Sequence, residues 1–167
     1  MKTLKILALV LAAVMLLGAA EAFAASTTAN LDINAAVSSR AKLTLGQATI
    51  HFVDADPDNT SSIAATENGV TVGVKARTAS AASVTLQVSS AADLASGSDS
   101  IAISNITWTA AGTGFVGGTM NKSAAQSAGS WTGRVNQNGT FSYFLANSWN
   151  YAPGTYTATV TYTLTAP

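Results

Sequence analysis

The chain has 167 residues, with eight basic and eight acidic side chains, one histidine and no cysteine. This balanced charge lacks the positive excess that proteins binding DNA, RNA or acidic membranes carry, so nucleic-acid binding is excluded from the expected functions. The lack of cysteine excludes disulfides, and packing and backbone hydrogen bonds alone must stabilise the fold.

The first 24 residues have the layout of a cleaved signal peptide. Lys2 and Lys5 precede an apolar run over residues 6–17, and Ala22-Phe23-Ala24 ends the segment in the small-x-small pattern. The run is too short for a permanent membrane span, and no later stretch qualifies. We therefore expect export without retention in the membrane. The mature chain would begin at Ala25 and carry six basic and seven acidic groups.

The stretch directly after the signal, TANLDINAAV (residues 28–37), alternates between apolar and mostly polar positions. The apolar positions are Ala29, Leu31, Ile33, Ala35 and Val37. The same phase continues to residue 45, with Ser39 as its one polar break. The pattern predicts one long strand over residues 29–45, or two collinear strands that meet near residues 38–40. Such a strand either pairs within its own domain or is donated to another molecule.

Further alternating stretches predict a short strand at 48–53 and longer ones at 69–77, 82–90 and 101–110, with a polar loop at 91–100. The glycine-rich segment 112–120 predicts a kinked hairpin or a bulge, and 121–130 a loop or a helical turn. Two more strands are expected on either side of an Asn-Gly turn at 136–139. Residues 155–166 place threonines on one face and Tyr, Val and Leu on the other. We predict an all-β, immunoglobulin-like antiparallel β-sandwich.

The sequence contains no motif that indicates an enzyme, and no catalytic residue is predicted. His51 is the only histidine, and it lies in a strand-like run without a nucleophile motif nearby. The chain has no G-x-S-x-G elbow, no metal-ligand spacing of histidines and no phosphate-binding glycine loop. We therefore interpret His51 as a structural residue.

An acidic loop follows residue 53 and is the candidate metal site. Asp54, Asp56 and Asp58 alternate like the first half of a calcium-binding loop. The position at which such loops place a bidentate Glu is Ala65, and Pro57 interrupts the segment. Two interpretations remain open, a solvated turn between strands and a calcium site. Calcium is the only cofactor that the sequence suggests.

Aromatic residues are concentrated in the second half of the chain. The set consists of Trp108, Trp131, Trp149, Phe141, Tyr143, Phe144 and Tyr151. In an exported β-sandwich such residues either build the core and its rim or form a platform on which sugars stack. The sequence leaves both interpretations open.

Two segments together resemble a known family. ANLDINAAV after the signal and PGTYTATVTYTLTAP at residues 153–167 are similar to the two ends of archaic chaperone–usher pilins and spore coat U-like domains. The resemblance implies an incomplete immunoglobulin-like fold that lacks its last strand. In this family, the N-terminal extension of one subunit fills the groove of the next. The resemblance also implies passage through the periplasm to the cell surface or the extracellular space, with a periplasmic chaperone and an outer-membrane usher as partners.

Mapped onto this chain, the resemblance divides it into a signal peptide (1–24), a donor-type strand (25–39) and a sandwich domain (40–167). The implied donor residues are Ala29, Leu31, Ile33, Ala35 and Val37, and the implied acceptor-groove residues are Tyr156, Val160, Tyr162 and Leu164. We expect a homo-polymeric structural subunit of a pilus-like fibre or coat at the cell surface, and the sequence leaves open whether it serves cell adhesion, biofilm formation or protection. The alternative is a self-contained exported β-sandwich that binds carbohydrate or calcium.

Overall fold

A computed structural model describes residues 26–167, and the predicted signal peptide lies outside these residues. The described chain is all-β, with one short 3₁₀ helix at Ile103–Asn105. Its strands are β1 (Arg40–Leu45), β2 (Ser62–Ala64), β3 (Val70–Arg77), β4 (Ser83–Ser90), β5 (Leu94–Ser96), β6 (Asp99–Ile101), β7 (Ile106–Ala111), β8 (Gly118–Thr119), β9 (Gln126–Thr132), β10 (Val135–Ala146) and β11 (Val160–Thr165). Within residues 26–167, no helix is long and apolar enough to cross a membrane.

Two antiparallel sheets pack face to face, which confirms the predicted β-sandwich. The larger sheet has the order β1-β3-β10-β7-β8, with β2 also paired to β10, and the smaller has the order β11-β4-β9. Strands β5 and β6 form a separate hairpin. The core lies between the sheets because each strand alternates, and the central strands β3 and β4 bury every second residue.

The long N-terminal strand is the main departure from the sequence prediction. The strand begins only at Arg40, and residues 26–39 form neither helix nor strand. The prediction of a strand over 29–39 is therefore wrong for this single chain. Alternation marks which face of a strand is apolar, but a strand forms only where a neighbouring edge offers backbone hydrogen bonds.

The prediction of an Asn-Gly turn is also wrong, because residues 136–139 lie inside the continuous strand β10. The chain reverses instead at Gly133, whose positive φ of 75° suits a tight turn between β9 and β10. Gly139 faces the core, where an added Cβ would lie 2.5 Å from the Phe115 ring. This glycine is therefore required by close packing rather than by a turn.

The structure also corrects the predictions for several shorter segments. Segment 48–53 contributes only an isolated bridge between Phe52 and Ala65, and the expected polar loop at 91–100 contains the β5–β6 hairpin. Segment 121–130 enters β9, and 155–159 stays outside the last strand although Thr157 bridges to Ala95. The strands predicted at 69–77 and 82–90 are confirmed as β3 and β4.

Candidate functional site

The candidate site lies along one side of the sandwich, where each sheet ends in an edge strand. Strand β1 pairs only with β3, and β11 pairs only with β4. The two edge strands approach each other across the sandwich. The gap between them is closed at one end, where the Ser39 hydroxyl donates a hydrogen bond to the Pro167 carbonyl oxygen at 3.2 Å. Each strand therefore has one backbone edge without a strand partner in the described chain.

The inward-facing side chains of these two edges are incompletely covered. In β4, Val84, Leu86 and Val88 are fully buried. The equivalent residues of β11 are Val160, Tyr162 and Leu164, and all three are only half-buried. Leu43 of β1 is likewise half-buried, and Leu45 is 40% exposed. An apolar stripe with free backbone edges is the surface that an additional strand would cover.

A cavity of about 1370 Å³ continues from this stripe into the sandwich. Its apolar walls come from both sheets and from the β5–β6 hairpin. They include Ile63, Leu94, Ile103, Met120, Leu145 and Val160. Of the four predicted acceptor residues, Tyr156, Val160 and Tyr162 line this cavity, whereas Leu164 lies further along β11. We refer to the cavity and the adjoining β1–β11 gap as the groove.

A pair of tyrosines forms the polar point of the groove wall. The hydroxyls of Tyr143 (β10) and Tyr162 (β11) lie 2.8 Å apart and share a hydrogen bond. The Tyr162 ring also stacks on Phe141, with ring centroids 5.9 Å apart and planes 24° apart. Burial raises the pKa of both phenols, and the neighbouring phenol adds to the rise at Tyr162. The pair therefore stays neutral and holds β11 against the larger sheet.

One rim of the groove carries the only histidine. The His51 Nδ1 atom lies 2.7 Å from Glu67 Oε1, and the His51 backbone N–H donates to Glu67 Oε2 at 2.7 Å. Both contacts lower the pKa of the Glu67 carboxyl, and the contact with the His51 ring has the larger effect. His51 is exposed, and its contacts fasten the 48–53 segment to residue 67.

The acidic loop forms the next part of the rim and is held by β10. The Asn147 side-chain amide donates to the carbonyl oxygens of Ala55 and Thr60, at 2.8 and 2.9 Å. Asp56 caps the turn itself, accepting from the Asp58 backbone N–H and from the Asn59 side chain. The acidic loop is therefore hydrogen-bonded to the C-terminal end of β10, which ends at Ala146.

The structure does not gather Asp54, Asp56 and Asp58 around one point. Both carboxylate oxygens of Asp56 are used within the turn, and Asp58 accepts from the Trp149 indole N–H at 3.0 Å. Within residues 26–167, no group of three or more His, Asp or Glu side chains is arranged to hold a metal ion.

Only three residues of the aromatic set, Tyr143, Trp149 and Tyr151, line the groove. Trp108, Phe141 and Tyr143 belong to the core. Trp131 packs edge-on against Phe115, with ring centroids 5.0 Å apart. Trp149 is 70% exposed, and it is the one tryptophan of residues 26–167 on the open surface. Burial thus assigns three of the seven to the core, and the sugar-platform interpretation of the other four stays a prediction.

The predicted donor residues lie in the segment before β1. Leu31 and Ile33 are 83% and 84% exposed, and Val37 is 69% exposed. Ala29 and Ala35 are exposed as well, and none of the five belongs to a strand. Large aliphatic side chains at such exposure are costly in water, by about 1.5–3 kcal/mol each relative to a buried site.

The predicted groove residues lie only on β11 and at Tyr156, and the opposite wall of the groove was not predicted. Tyr143 and Leu145 of β10, together with Ile103 and Met120, complete that wall. The alternation of Phe141, Tyr143 and Leu145 marks them as core residues. No local pattern distinguishes a core residue that lines a cavity from one in the packed centre.

No protein-family model matches this chain, and no curated protein matches it.

Proposed function

We propose that the protein is a structural subunit that polymerises outside the cell by donating residues 29–37 to the groove of another copy. The observation that carries this proposal is the β1–β11 side of the sandwich, where apolar side chains remain half-buried beside two free backbone edges. A donated strand would pair with such an edge and place alternate side chains in the groove.

The donor segment has the properties that such a groove requires. Its apolar residues recur at every second position, so that all of them face one side when the segment is extended. Burial of Leu31, Ile33 and Val37 would contribute about 1.5–3 kcal/mol for each side chain, and ladder hydrogen bonds would add to this. Contacts of this size would hold a fibre together without covalent links.

An unfilled groove is also a hazard, since exposed apolar surface and free strand edges promote aggregation. We propose that a periplasmic chaperone covers the groove during export and that an outer-membrane usher exchanges it for the next subunit. The finished polymer would be a pilus-like fibre or a coat at the cell surface.

A truncation separates strand donation from a self-contained domain. The mature chain from Ala25 should form multimers in size-exclusion chromatography and fibres in electron micrographs, whereas a chain starting at Ser38 should not assemble. A synthetic peptide of residues 28–37 should raise the melting temperature of the shorter chain, and a scrambled peptide should not. The proposal fails if the mature chain stays monomeric and the peptide has no effect.

Paired substitutions in the full mature chain provide the matched control. Ile33→Asp puts a charge on the apolar face of the donor and should lower multimer yield at least about tenfold, the effect of about 1.4 kcal/mol. Asn34→Asp adds the same charge to the other face and should leave the yield unchanged. Equal effects of the two substitutions would contradict insertion of the apolar face.

A further inference from the structure

The basic residues of the described chain are concentrated at one end of the larger sheet. Residues 26–167 contain six Lys and Arg side chains, and one of them, Lys122, forms an ion pair with Asp93. The other five are exposed at this end of the sandwich and are called the basic end: Arg40, Lys42, Lys75, Arg77 and Arg134. A nearly neutral protein thus carries a local positive field.

The arrangement within the basic end is unfavourable for the isolated subunit. Arg40 lies directly opposite Arg77, and Lys42 directly opposite Lys75, in the β1–β3 ladder. Like charges at opposed positions destabilise a sheet. The ion pairs formed among residues 26–167 join His51 to Glu67 and Lys122 to Asp93, so none of them neutralises the basic end. A negatively charged partner would relieve this repulsion.

A complementary surface lies at the opposite end of the same sheet. Strand β10 starts beside Arg134 and runs for 12 residues, roughly 35 Å, to Ala146. Asn147 follows directly and holds the loop of Asp54, Asp56 and Asp58. These three residues are called the acidic loop, and two of them, Asp54 and Asp56, line the groove. Each subunit is therefore positive at one end and negative at the end where the acidic loop lies.

Chain direction decides which ends would meet in a polymer. Strand β11 starts at Val160, opposite Ser90, and runs toward the basic end, where the Pro167 carbonyl oxygen accepts from Ser39. A donor strand antiparallel to β11 would run the other way, and its Val37 would emerge at the acidic loop of the acceptor. Arg40 of the donor follows three residues later. Parallel insertion would instead bring two basic ends together.

We propose that the basic end of one copy docks against the acidic loop of the next, and that this contact selects antiparallel insertion and makes every subunit in the fibre point the same way. The inference rests on the proposed strand donation and identifies a second contact surface beside the groove. Opposite charges across the interface accelerate association and suppress the wrong orientation. The donated strand supplies the lasting affinity.

Salt dependence of the unaltered mature chain gives the first readout. Between about 0.01 M and 1 M salt the screening length shrinks from roughly 30 Å to 3 Å. We expect the assembly rate, followed by light scattering, to fall about tenfold or more over this range. A purely apolar interface would assemble at the same rate or faster in salt, since salt strengthens apolar burial. A rate that does not fall would overturn the proposal.

Charge exchange gives the second readout and controls for net charge. The variants Lys42→Glu/Lys75→Glu and Asp54→Lys/Asp58→Lys should each assemble at least about tenfold more slowly at low salt, because both leave like charges facing each other. A chain that carries all four changes keeps its net charge and should recover the rate. Thr109→Glu, on the same outer sheet face between the two ends, should have little effect. The neutral pair Asp54→Asn/Asp58→Asn replaces the lysine variant if melting shows that the latter is unfolded.

The outcomes also separate this inference from the proposed function. If fibres form and depend on residues 29–37 but the four-fold variant does not recover, strand donation stands and the charge contact is wrong. If only the basic-end substitutions matter, and they abolish binding to an anionic polymer such as heparin, the basic end binds a polyanion instead and the docking proposal is contradicted. If no fibre forms with an intact donor, the proposed function itself fails.

Discussion

The hydroxyls of Tyr143 and Tyr162 lie 2.8 Å apart and connect the two sheets at the wall of the groove. Tyr162 belongs to the edge strand β11, whereas Tyr143 belongs to the central strand β10, so the contact bridges the side of the sandwich that lacks a covering strand. The stacked Phe141 ring supports Tyr162 from within the core. This contact therefore fixes part of the groove wall.

A double-mutant cycle measures the tyrosine contact. Tyr143→Phe should destabilise the fold by about 1–3 kcal/mol, because it leaves the Tyr162 hydroxyl without its partner, and Tyr162→Phe should behave similarly. The double substitution should cost clearly less than the sum of the two, because no hydroxyl is then left unpaired. Urea unfolding gives these free energies. Strictly additive costs would show that the two hydroxyls do not interact.

Alkaline pH should destabilise the protein through the same pair. Burial raises the pKa of Tyr143 and Tyr162 above the ordinary value of 10.0, so the folded state keeps protons that the unfolded state loses. This stabilising contribution is complete below pH 10 and declines as pH rises toward the folded pKa values. The urea midpoint should therefore fall above pH 10, and the fall should be smaller in Tyr162→Phe. A urea midpoint that stays constant up to about pH 11.5, well above the ordinary phenol pKa of about 10, would contradict the burial of these phenols.

Acid should weaken the rim at His51. The pKa of Glu67 is lowered below its ordinary value of 4.5 by the His51 ring and then by the His51 backbone N–H. A lowered carboxyl pKa stabilises the fold above the unfolded value and ceases to do so as pH falls through the folded value. Thermal melting between pH 6 and pH 3, about the range in which carboxyls titrate, should therefore be less pH-dependent in Glu67→Gln. His51→Ala keeps the backbone contact and should give an intermediate slope. If both variants keep the pH dependence of the melting temperature that the unaltered protein shows, the contact between His51 and Glu67 does not stabilise the fold.

A glycine pair tests the packing around Trp131. Gly114 has a φ of +82°, and a Cβ there would lie 2.2 Å from the Trp131 Nε1 atom. Gly97 has a similar φ of +61° but no atom within 4 Å of an added Cβ. Both alanine substitutions should cost about 1–2 kcal/mol for the left-handed backbone, and Gly114→Ala should cost about 1–3 kcal/mol more for the clash. Equal losses in urea unfolding would show that Trp131 does not pack there.

Side-chain alternation predicted the fold class and the central strands because these are set by local pattern. The valines of β3 and the leucine and valines of β4 recur at every second position and are buried accordingly. The threonines of β11 face solvent as expected. The prediction failed at the Asn-Gly pair of β10, where the turn preference of the dipeptide lost to the packing of Gly139 against Phe115.

The groove residues named from the sequence are those that the family resemblance implies in the closing segment: Tyr156, Val160, Tyr162 and Leu164. The register that sets Tyr143 opposite Tyr162 was not predictable, because it depends on how two distant strands pack. The basic end has the same origin. Arg40 and Arg77 are 37 positions apart in the sequence and become neighbours only through the β1–β3 register. Neither the groove nor the charged ends could therefore be derived from one segment alone.

The most direct measurement of strand donation uses the absence of cysteine from the natural chain. One variant would carry Val37→Cys together with Val160→Cys, the positions that antiparallel insertion brings close. After mild oxidation of assembled protein, we predict a ladder of covalent multimers on a non-reducing gel, which collapses to monomer on reduction. Ile33→Cys with Val160→Cys, a mismatched pair, should give a much weaker ladder. If the matched pair yields only internally cross-linked monomer, or no cross-link in any form, donation of residues 29–37 between copies is contradicted.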